Sequence, residues 1–180
     1  MIRDALKIAI AIFVLAVLQL SAMPQLVPGP AGPDLLLVLV VMVALLRGAE
    51  AAAYTGFAAG LLLDAMVVGR LGLTSLLYIG AGLWVAFRVE PGDQVVATLP
   101  SPPRPAVRVA YVLAAAVLVQ FATAAAHVLL GDSYPVRYEL STVIVPTIVD
   151  TALAALLLVP LLGRLLPYRL RLDGYPVTAL

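Results

Sequence analysis

Apolar residues run along this chain in stretches that approach twenty, the length a helix needs to cross a hydrocarbon core of ~30 Å. Short clusters of glycine, proline and charge interrupt them: "PQLVPGPAGP" after the first, "RG" after the second, "GRLG" after the third. The pattern predicts six helices, at 5–23, 34–46, 50–68, 73–87, 106–130 and 141–162. Asp34, directly after Pro33, is a natural N-cap for the second. Residues 88–105, "RVEPGDQVVATLPSPPRP", are too rich in proline and polar groups to cross lipid and read as an exposed loop. The tail 163–180 is basic and is not expected to span.

Composition turns these helices into membrane spans. Hydrophobic residues make up 63% of the 180 and charged residues only 12%, with a mean hydropathy of +1.10. A soluble domain has about a quarter of its residues charged. The fold class expected is all-α and polytopic, one integral membrane domain over 1–180. The first apolar run follows Arg3 and Lys7 as in a signal peptide, but "LSAMPQ" offers no small-x-small cleavage pattern. It reads as a retained span.

Lysine and arginine favour cytoplasmic segments. With six spans and the N-terminus inside, the inner segments carry Arg3, Lys7, Arg47, Arg88, Arg104, Arg108, Arg164, Arg169 and Arg171, against Arg70 and Arg137 outside. Omitting the short second span inverts every later segment and spoils this asymmetry. Six spans with both termini cytoplasmic is the expected topology.

Net charge is only +1, so nucleic acid is not an expected partner; the chain has no cysteine and a single histidine, His127. Thiol chemistry, disulfides and histidine-rich metal sites are thereby excluded, and no cofactor is expected. Ionisable residues at membrane depth are costly and draw attention by default. Asp64 falls ~21 Å along the third helix from Glu50. Ala53, Gly56 and Gly60 share its side, a ridge of small residues that invites close helix approach. Asp150, four residues after Pro146, is expected near the midplane, where Gln120 and Thr123 could bond it. It reads first as a structural carboxyl and second as a proton or ligand site. The two carboxylates differ too much in depth to form an aspartyl-protease pair, and no Ser–His pair or phosphate loop is present. Enzymatic activity is not expected.

Residues 33 to 87 resemble the rod shape-determining MreD family. The likeness is carried by "PDLLLVLVVMVALLRG" (33–48) and "GFAAGLLLDAMVVGRLGLTSLLYIGAGL" (56–83), with Pro33, Asp34, Gly60, Asp64, Gly72, Leu76 and Tyr78 at the motif positions. The resemblance implies a six-helix bundle like that of the S-components of energy-coupling-factor vitamin transporters. It also implies a non-enzymatic scaffold in the bacterial cytoplasmic membrane, supporting cell shape and peptidoglycan synthesis. Its implied partners are MreC, RodA with its transpeptidase, and indirectly MreB. A vitamin-binding S-component is the second reading. A ligand pocket would want more aromatic and polar residues than the outer segments "PQLVPGPAGP" and "GDSYPVRYEL" provide.

Overall fold

A computed structural model describes residues 2–26, 32–67, 71–89, 104–131 and 140–166. Arg70, Arg137, nearly all of the proline-rich loop and most of the basic tail lie outside them. The described residues are all-helical. Helix α1 covers residues 2–26, as Ile2–Val17, a π-helical turn Leu18–Ala22 and Met23–Leu26. It is followed by α2 (Leu35–Arg47), α3 (Ala49–Met66), α4 (Leu73–Val89) and α5 (Pro105–Leu129). Helix α6 covers residues 140–165, as a π-helical turn Leu140–Ile144 and Val145–Leu165. Three stretches are long and apolar enough to cross a membrane: Ala5–Leu26, Pro105–Leu129 and Ser141–Leu165.

Both π turns have the same local cause. A proline lacks an N–H and its ring collides with the carbonyl four residues back. Pro24 and Pro146 stand four residues after Leu20 and Thr142, each inside a π-helical turn. The wider turn makes room for the ring while the chain stays helical.

Helix α2 is the axis of the bundle. A helix that is apolar all round must be enclosed by protein or lipid, and here protein encloses it: every residue from Leu35 to Leu46 is buried, with Leu36 to Val43 at 0% exposure. All five other helices pack against it. At 13 residues it is ~20 Å long, too short to span alone. Enclosure removes that requirement, because backbone that stops short of the membrane face is tolerated where protein surrounds it.

Helices α3 and α4 form the tightest pair. Gly56 and Gly60 lie against the backbone of Tyr78 and Ser75 respectively. A Cβ on Gly60 would stand 2.3 Å from the Ser75 Cα, a distance no real contact permits. The buried stripe of α3 is Ala52, Thr55, Gly56, Ala59 and Gly60, whereas Ala53 is half-buried. The outer face of the hairpin is lipid-like, with Tyr54, Phe57, Leu61, Leu76 and Phe87 exposed.

Cross-helix contacts set the levels of the bundle. The Asp34 N–H meets Thr151, and the Leu36 N–H meets Gln19. Arg47 lies thirteen residues after Asp34, and Arg164 thirteen after Thr151; Lys7 lies twelve before Gln19, and Arg88 ten after Tyr78. Arg108 faces Gly163 across α5 and α6. Lys7, Arg47, Arg88, Arg104, Arg108 and Arg164 therefore gather at one end, ~20 Å along the axis from the Asp34 level. Among the described side chains, every lysine and arginine belongs to this end.

Candidate functional site

The start of α2 poses an electrostatic problem. The first N–H groups of any helix lack intrahelical acceptors, and each one left unsatisfied in hydrocarbon costs several kcal/mol. Water would normally serve, but this helix begins inside the bundle. Side chains from its own N-cap and from two other helices take over. The Asp34 carboxylate accepts from the Leu37 N–H at 3.0 Å. The Leu36 N–H donates to Gln19 Oε1 of α1 at 3.2 Å. The N–H of Asp34 itself donates to Thr151 Oγ1 of α6 at 2.9 Å.

A fourth helix closes the cluster. The Tyr78 hydroxyl of α4 donates to Asp34 Oδ1 at 2.5 Å. Tyr78 and Thr151 are 1% and 0% exposed, so the bonds form with little competition from solvent. Gln19, Asp34, Tyr78 and Thr151 thus tie α1, α2, α4 and α6 at one level. The carboxylate accepts from its own helix and from α4, a geometry that fastens the two helices together.

Asp64 belongs to a second, smaller arrangement. Its Oδ2 accepts from the Gly72 N–H at 2.7 Å, the residue just before α4. It closes the α3–α4 turn from the α3 side and gives the positive N-terminus of α4 a carboxylate. Gly72 holds φ +94, a left-handed conformation that glycine adopts without penalty. Ser75 Oγ adds a long bond of 3.4 Å to the Phe57 carbonyl. Pro33 is buried directly before the cluster.

Asp150 lies beside Thr151 on α6. It is half-buried, while the side of α6 that meets α2 carries Thr147, Thr151, Ala155, Val159 and Leu162. The Thr123 hydroxyl donates to the Val119 carbonyl one turn back in α5. Sequence reasoning singled out Asp34 and Tyr78 separately and missed both their pairing and the roles of Gln19 and Thr151. The available signal was a polar residue inside an otherwise apolar span, which Gln19 is; for Thr151 the neighbouring carboxylate drew attention away.

No group of three or more His, Asp or Glu side chains that could hold a metal gathers among the described residues. At the basic end the Arg88 guanidinium lies over the Trp84 ring, 5.6 Å from its centroid, a pairing suited to the headgroup level. Fold and cluster together define an all-helical bundle, with helices fit to cross a membrane, fastened by a buried polar knot. In comparisons with known proteins, no family model matches the chain, and no curated protein or solved structure matches it.

Proposed function

We propose that this protein is a non-enzymatic, six-span scaffold of the bacterial cytoplasmic membrane, of the kind the MreD family contributes to cell elongation. In this reading both termini are cytoplasmic and the basic end lies at the inner face, as the preference of cations for that side requires. The scaffold works through contact with MreC, beside RodA and its transpeptidase, and only indirectly with MreB.

The observation that carries the reading is how the residues of the resemblance are used. Asp34 and Tyr78 bond each other, Gly60 admits the backbone of α4, and Asp64 holds the N–H of Gly72. Such a motif is made of internal fasteners. It specifies the shape of a surface for partners, and a scaffold needs little else from its polar residues. A transporter S-component would want polar groups turned toward a cavity for its vitamin.

Affinity purification of the full chain from membranes, with identification of what accompanies it, tests the proposal. Recovery of MreC and other wall-elongation proteins is the expected result. Recovery of an ATPase and a transmembrane energising subunit, or tight vitamin binding by the pure protein, would replace it with the transporter reading.

A further inference from the structure

We infer that the seam between α5 and α6 at the basic end is a binding site for the phosphate headgroup of an anionic lipid. The inference is independent of the machinery the protein serves. It starts from the half-buried Arg108, whose Nη1 lies 2.8 Å from where a Cβ on Gly163 would stand. The guanidinium occupies the space that any other side chain at 163 would fill, so the helices are shaped to seat it between them. Arg104 stands one turn earlier on the same side of α5, and Arg164 directly follows Gly163; both are exposed. Three arginines thus flank one seam, the middle one half-buried and the other two exposed.

The wider surface has the matching charge. Lys7, Arg47 and Arg88 share the level, and Glu50 is the one described acidic side chain at that end. Among the described side chains of that end, one carboxylate stands against six cations. Guanidinium forks suit phosphate oxygens better than ammonium groups do. The flanking surface decides between a lipid and a free phosphate. Val107 on α5 and Leu161 and Leu165 on α6 are exposed, which gives an acyl chain an apolar wall directly beside the three cations. A headgroup held there would bridge the N-terminal end of α5 to the C-terminal end of α6.

The test is lipid titration of the purified full chain in mild detergent, followed by native mass spectrometry and by thermal unfolding through Trp84 fluorescence. Phosphatidylglycerol should bind and raise the melting temperature, while phosphatidylcholine and inorganic phosphate at equal concentration should not. Each of Arg104→Gln and Arg108→Gln should weaken phosphatidylglycerol binding about fivefold. Arg108→Lys should retain part of it, and Lys7→Gln, on another helix, should weaken it far less than either glutamine variant of the seam. Size-exclusion profiles confirm folding, and Arg104→Gln, at an exposed position, carries the test if Arg108→Gln does not fold. Unaltered binding in the folded Arg104 or Arg108 variants would overturn the site. Equal weakening by Lys7→Gln would reduce it to a diffuse charged rim, and equal stabilisation by inorganic phosphate would overturn the assignment to lipid.

Discussion

Asp34 does two jobs that are ordinarily separate: it caps its own helix and it anchors a neighbour. Its side chain serves the Leu37 N–H and the Tyr78 hydroxyl through one oxygen. An asparagine keeps a carbonyl oxygen there, whereas a leucine strands two buried donors at ~1–3 kcal/mol each. Asp34→Leu is therefore expected to cost ~2–6 kcal/mol and Asp34→Asn clearly less. Tyr78→Phe removes a single bond, and hydrogen bonds inside membrane proteins average ~0.6 kcal/mol with a maximum near ~1.7. Reversible unfolding in bicelles, followed by Trp84 fluorescence, ranks the three. An equal loss for leucine and asparagine would mean that the carboxylate carries no bonds that matter to stability.

The α3–α4 hairpin shows how an element's geometry is decided by what is missing. Two glycines let backbone meet backbone, and the lipid-facing side of the same helix carries bulky residues without consequence for that contact. Gly60→Ala is expected to destabilise the protein by ~1–3 kcal/mol through overpacking. Leu61→Ala, at an exposed position, should cost well under that, and thermal unfolding in detergent compares the pair directly. Leu62 would be a poorer control, since it is half-buried against the core. Asp64 acts on the same element by holding the turn. Asp64→Asn keeps an acceptor for the Gly72 N–H, and Asp64→Leu does not. Under the proposed scaffold function, the leucine variant should lose rod shape and MreC association in an elongation-defective strain while the asparagine variant retains both, at equal membrane levels by immunoblot.

At the scale of the whole molecule, one buried helix is enclosed by five others and all the described cations lie at one end. Orientation and span number follow from that layer under the six-span proposal. Since the chain has no cysteine, single substitutions report cleanly. Leu71→Cys, in the exposed α3–α4 turn, should react with an impermeant thiol reagent in intact cells. Arg104→Cys and Glu50→Cys should react only after the membrane is opened. Labelling of Arg104→Cys in intact cells would overturn the proposed orientation.

The sequence by itself determined the membrane character, the all-helical class and the positions of the breaks, because these depend on local composition and on glycine and proline chemistry. It also exposed the small-residue ridge of α3, since Gly56 and Gly60 fall together on any straight helix. It could not tell which helix the ridge meets, and only the fold chose α4. Nor could it rank Thr151 above Asp150: adjacent residues point ~100° apart, and which of them faces inward depends on how α6 is rotated against α2. The same holds for Gln19, whose direction is set in a π-helical turn that spacing rules built on 3.6 residues do not foresee. The polar knot draws its members from four helices spread between residues 19 and 151. Hydrogen bonds across such separations are specified by packing, and only the tertiary structure brings their partners to one level.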